Sequence, residues 1–129
     1  MSRERYKNTV IYKICCKDET VTDTYIGHTT NFDRRKLEHI QSCKLSPMKV
    51  YEYIRNHGGW DNWDMVILEK YTCKSLGHAC RLEWIWWNRL DGSLNSHAPG
   101  TSYIKRDQRR HTDFDTYIHE MELACRVMN

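Results

Sequence analysis

The stretch that most limits what this chain can fold into runs Tyr25-Ile26-Gly27-His28-Thr29-Thr30-Asn31-Phe32-Asp33-Arg34-Arg35-Lys36-Leu37-Glu38-His39. A β-prone run ends at a glycine, passes through a polar turn and enters a helix. Asn31 is set to cap that helix, its side-chain oxygen accepting one of the orphan first-turn amides. Arg35 and His39 then stand four residues apart on one helix face. A guanidinium and an imidazole so placed address one bound group, approached past Tyr25 and Gly27, and a phosphate suits them. Arg34, Arg35 and Lys36 equally fit a solvated basic face, and this stretch alone does not separate the two.

Thr9 to Ile14 alternates, with Val10, Tyr12 and Ile14 on one side and Ile11 and Lys13 on the other, as a half-buried strand does. A polar run separates it from the β-prone Thr24 to His28, which predicts an antiparallel hairpin bringing Tyr12 towards Tyr25. Facing aromatics also serve as a plain cross-strand pair. Leu45-Ser46-Pro47 predicts a second helix start, with Ser46 as cap and Pro47 at the first helical position, where a missing amide costs nothing. Val50, Tyr51 and Ile54 form its buried stripe and Gly58-Gly59 end it. Trp63 to Tyr71 holds the near-continuous apolar run Met65-Val66-Ile67-Leu68, expected of a central strand covered on both faces.

Ser75 is placed to cap a further helix whose expected stripe reads Leu76, Ala79, Cys80, Glu83, Trp87 and Leu90. An unpaired carboxylate in such a stripe is costly. Glu83 therefore needs a partner such as an arginine or a metal, or a position where the core edge opens into a cleft. A structural ion pair with Arg35 is the plain alternative. Trp84, Trp86 and Trp87 point in different directions around the helix and read as packing rather than as a base-stacking platform. Asn95 follows in a loop, directly behind Leu94. After Pro99 the chain turns basic, with Lys105, Arg106, Arg109 and Arg110. A last helix is expected from Thr112, its cap, to Met128, with Phe114, Tyr117, Ile118 and Met121 on one face.

At 129 residues the chain suits one domain with room for a small appendage. Its formal net charge of +3 permits a nucleic-acid partner without demanding one. The cysteines, at 15, 16, 43, 73, 80 and 125, show no C-x-x-C pair and no framework spacing, which predicts reduced thiols. Cys73, His78 and Cys80 supply at most three zinc ligands, with no evident fourth. No apolar run is long enough to span a bilayer. The charged start of the chain lacks the apolar core of a secretory signal, so an intracellular protein is expected.

Taken in order, Val10-Ile11-Tyr12, Tyr25-Ile26-Gly27, Arg35, His39, Glu83 and Asn95 resemble the GIY-YIG nuclease superfamily. The likeness covers Thr9 to Asn95. The run Asn56-His57-Gly58-Gly59-Trp60-Asp61-Asn62-Trp63 and the short stand-alone layout are similar to the forms carried by large DNA viruses and mobile elements. One departure is Val10, which stands where the family's name has its first glycine. The resemblance implies an α+β fold, a three-stranded antiparallel sheet flanked by helices, to which the pattern of the tail adds an extra C-terminal helix. The expected division is a catalytic unit over 1–99, followed by a basic segment and amphipathic helix over 100–129.

By the same resemblance the activity is a metal-dependent DNA endonuclease that hydrolyses phosphodiester bonds by attack of water. Tyr12 would orient or activate that water, Arg35 hold the phosphate, and Glu83 ligate one divalent cation, Mg2+ or in its place Mn2+. Tyr25 and His39 complete the catalytic set, with Gly27, His28, Lys13, Asn95 and Arg34 around the substrate and Asn95 fixing its neighbours. A phenol titrating near ~10 is a poor base unless a cation such as Lys13, Arg35 or the metal favours its phenolate. The competing readings are a catalytically silent DNA-binding module and a small interaction protein. Neither monomer nor homodimer follows from the sequence.

Overall fold

The computed structural model describes residues 5–110 and 113–125. The alternating first strand, β1 (Thr9–Cys16), pairs antiparallel with β2 (Tyr25–Thr29) on one side and with β3 (Trp63–Tyr71) on the other. The order is β2-β1-β3. Helices α1 (Phe32–Ser42) and α2 (Lys49–Asn56) lie between β2 and β3 in sequence. After β3 come α3 (Leu76–Leu90), α4 (Thr101–Gln108) and α5 (Phe114–Cys125). This is the α+β arrangement expected from the sequence. No helix among the described residues is long and apolar enough to cross a membrane.

The central strand is β1, not the apolar β3. Ile11, Tyr12 and Ile14 are all 0 % exposed, whereas Val66 and Ile67 of β3 are 39 % and 40 % exposed. The reason is a register shift between Ile11 and Tyr12, where β3 carries one extra residue, Leu68. With a side-chain period of two, that insertion turns β3 over along its length. Trp63 and Met65 accordingly pack with Tyr12, Ile14, Val50 and Ile54 in one core cluster. Tyr71 packs with Ile11, Ile26, Leu82 and Ile85 in the other. The apolar run thus marks a strand that changes sides at the edge of the sheet.

Asn31 and Ser75 cap as their chemistry dictates, accepting the amides of Arg34 at 3.1 Å and His78 at 3.2 Å. Ser46 and Pro47 do not open α2, which begins at Lys49; the Ser46 hydroxyl instead accepts the Met48 amide at 3.3 Å, in the approach to the helix. Gly58 and Gly59 end α2 with φ of 96° and 75°, a region only glycine enters freely. On α3 the buried stripe is Gly77, Ala79, Leu82 and Ile85, while Leu76 and Leu90 are 45 % and 38 % exposed. The stripe is rotated from the expected one, and Glu83 lies at its margin.

The tail holds a helix that its basic residues concealed: α4 buries Ile104 and Asp107 and leaves Lys105, Arg106, Arg109 and Arg110 exposed along α4 and the turn after it. Asp107 receives Arg81 of α3 at 2.5 Å and the Tyr117 hydroxyl of α5. Arg89 of α3 reaches Glu122 of α5. Met121 and Cys125 join the core cluster that holds Ile11 and Ile26. The cap expected at Thr112 and the helix end expected at Met128 lie outside the described residues; within them, Asp113 accepts the Thr116 amide at 3.2 Å.

Candidate active site

Tyr12 lies at the middle of β1, opposite Gly27 of β2. Its ring crosses that glycine so closely that a β-carbon there would stand 2.5 Å from both the hydroxyl oxygen and Cζ. The missing side chain at 27 is what lets the phenol reach α1. There His39, one turn beyond Arg35, points inward at 4 % exposure. Its Nε2 is 2.7 Å from the Tyr12 hydroxyl and its Nδ1 2.9 Å from the Tyr51 hydroxyl. Tyr25 completes the group, its ring centre 5.7 Å from that of His39 and 6.4 Å from that of Tyr12.

Burial sets the protonation states. Loss of water pushes the Tyr12 phenol far above its ordinary range, with Tyr25 adding to the shift; Arg35 pulls the other way and is outweighed. Tyr25 is pushed up to about 12, by burial and then by the Glu83 carboxylate. His39 is held down at about 4, by burial first and by Arg35 second, and is a neutral imidazole at pH 7. With both ring nitrogens engaged by tyrosines, His39 does not share a ligand directly with Arg35, as four-residue spacing alone suggests. Arg35 is half exposed and meets Glu38 at 3.3 Å, a surface pairing that an incoming anion displaces at little cost.

Glu83 approaches from the opposite layer. Its partner is neither Arg35 nor another arginine but His28 of β2, whose Nδ1 lies 3.1 Å from Oε1, with the two side chains 19 % and 14 % exposed. The loop after α3 holds β2 from its free edge. The Leu94 amide donates to the Thr24 carbonyl at 2.9 Å. Asn95 then accepts the Ile26 amide at 2.9 Å and donates to the Ile26 carbonyl at 2.8 Å. A side-chain amide thus stands in for a fourth strand beside Tyr25.

Tyr12, Tyr25, Gly27, His28, Arg35, His39 and Glu83 therefore gather around β2, with Asn95 bound to its backbone. Strand alternation turns Lys13 away from Tyr12, so the cation beside the phenol is Arg35. Arg34 is exposed on α1. Sequence reasoning missed Tyr51, which read as core and carries no motif. It also missed a cavity of about 250 Å³ lined by Arg5, Thr29 and Thr30 together with His28 and Arg35. His78 meets Cys125 at 3.5 Å instead of joining Cys73 and Cys80 around a zinc.

Among the described residues no three His, Cys, Asp or Glu side chains gather as a metal cluster. The donor set nonetheless fits Mg2+, which keeps several waters and takes one or two carboxylates together with phosphate oxygens. Glu83 is a half-buried carboxylate of that kind. No curated protein and no solved structure matches the chain. Residues 8–95, which contain every residue gathered around β2, match the family model of the GIY-YIG catalytic domain, and the protein accordingly belongs to the GIY-YIG family of phosphodiester-cleaving endonucleases.

Proposed function

We propose that the chain is a divalent-metal-dependent DNA endonuclease in which Tyr12, backed by His39, activates the attacking water. The observation that carries this reading is the 2.7 Å approach of the Tyr12 hydroxyl to His39 Nε2. A phenol raised this far by burial is not a phenolate waiting for substrate, so Tyr12 accepts a proton only as it passes its own on. In the tautomer with its proton on Nδ1, His39 donates to Tyr51 and accepts from Tyr12. The proton removed from water then ends on His39 Nε2.

Arg35 links this relay to the substrate. Its charge is the second cause of the low His39 pKa, and a phosphate bound to the guanidinium cancels that charge, making the imidazole more basic when the proton must be received. The guanidinium also holds the phosphate oxygens as negative charge grows on them. Tyr25 borders the relay and Asn95 keeps β2 in position. A divalent cation held at Glu83 supplies Lewis-acid stabilisation of the phosphate and of the departing oxygen.

Supercoiled plasmid incubated with and without Mg2+ tests the reading, with Glu83→Gln beside the parent chain. Cleavage that requires the cation and vanishes in the variant, with its fold and DNA affinity retained, supports it. Parent-like Mg2+-dependent turnover by Glu83→Gln removes the carboxylate from the metal's binding set.

A further inference from the structure

Glu83 faces a histidine. His28 and Glu83 belong to different layers, one on β2 and one on α3, yet Nδ1 and Oε1 lie 3.1 Å apart. Adjacent ligand atoms of an octahedral cation with bonds of about 2.1 Å are separated by about 3 Å. The two atoms therefore already stand at the spacing of neighbouring positions in one coordination sphere. His28 also lines the cavity that Arg35 lines, so the histidine of the pair borders the space available to a phosphate.

We propose that His28 Nδ1 is a second protein ligand of the divalent cation at Glu83 and biases the site from Mg2+ towards Mn2+. The proposal rests on the assignment of Glu83 as the metal-binding carboxylate. Mg2+ prefers an all-oxygen shell, whereas an imidazole nitrogen is a good donor to first-row transition ions. Replacing one oxygen position by nitrogen disfavours the first and favours the second. Relative to Mg2+, Mn2+ gains from such a mixed set while keeping the octahedral preference, and its unpaired electrons make a bound nitrogen visible.

The test is binding of Mn2+ and of Mg2+, each added alone to the full chain, followed by calorimetry and by the electron-spin-echo signal of bound Mn2+. His28→Asn is the informative variant: its amide still donates to Glu83, so a residue that merely orients the carboxylate is replaced, while a strong metal donor is removed. The expected results are a directly bonded nitrogen in the Mn2+ spectrum of the parent chain, its disappearance in His28→Asn, and a Mn2+ affinity lower by roughly 10-fold or more with Mg2+ affinity little changed. Mn2+ bound without a nitrogen signal, or held equally well by His28→Asn, overturns the role of His28 while leaving Glu83 in place if Glu83→Gln abolishes binding. Mn2+ binding that survives Glu83→Gln overturns both assignments.

Discussion

Gly27 and Tyr12 occupy one position of the sheet between them: the phenol ring fills the space that a side chain at 27 would take, 2.5 Å from where its β-carbon would be. The glycine therefore bears on the proposed chemistry through the position of the phenol. It decides how far Tyr12 extends towards His39.

Gly27→Ala is expected to lower the cleavage rate by about 100-fold, because the ring must shift by a large fraction of an ångström and the hydrogen bond to His39 is made at its far end. Overpacking at this site also costs about 1–3 kcal/mol of stability. Phe32 and His39 meet the ring edge-on and Tyr25 lies tilted beside it, leaving it little freedom to give way. Turnover and urea unfolding of the same preparation check both effects. A fully active alanine variant contradicts the positional role.

His39 makes the fold acid-sensitive. Its folded-state pKa of about 4 lies below the unfolded value near 6.5, so below the latter the unfolded chain binds the extra proton and stability falls with pH. The contribution is complete above the unfolded value and is lost as pH falls towards 4. Between pH 7 and pH 5 the loss is about 2 kcal/mol. His39→Gln removes this component. Urea unfolding of parent and variant at the two pH values gives it as a difference, and identical pH dependence in both argues against a buried neutral imidazole.

How much could be read without the structure differed by the range of the physics involved. The Asn31 and Ser75 caps were readable because a cap joins a side chain to an amide three residues on, and Tyr12 and Tyr25 because one hairpin relates them. The edge position of β3 was hidden, since its apolar run looks central unless the extra residue at Leu68 is known. α4 was hidden as well: it follows Gly100, which has no side chain to cap it, and its basic residues masked the buried Ile104. Within the site, the partners of Glu83 and His39 come from other elements. Nothing local to α3 names His28, and nothing local to α1 names Tyr51.

The exposed cluster on and after α4 gives a prediction about binding. If Lys105, Arg106, Arg109 and Arg110 neutralise DNA phosphates, replacing all of them by alanine weakens binding and flattens its salt dependence by about 0.9 in log–log slope for each phosphate no longer neutralised. Asp107, which ties the helix to Arg81 and Tyr117, is left intact, so the tail stays docked. Affinity measured across a salt series with unchanged slope makes the cluster a solvated surface.

The central claim is that the Tyr12 hydroxyl takes part in the chemistry, and supercoiled plasmid cleavage by the parent chain and by Tyr12→Phe tests it most directly. Phenylalanine keeps the ring over Gly27 and removes only the oxygen that meets His39. A single site cuts one strand per encounter, so the parent is predicted to give nicked circles before linear DNA and to require a divalent cation. Tyr12→Phe is predicted to bind the plasmid as well and to nick it at least about 100-fold more slowly. Parent-like nicking by Tyr12→Phe would contradict the account, in which the proposed path takes a proton from the attacking water to His39 Nε2 through that hydroxyl.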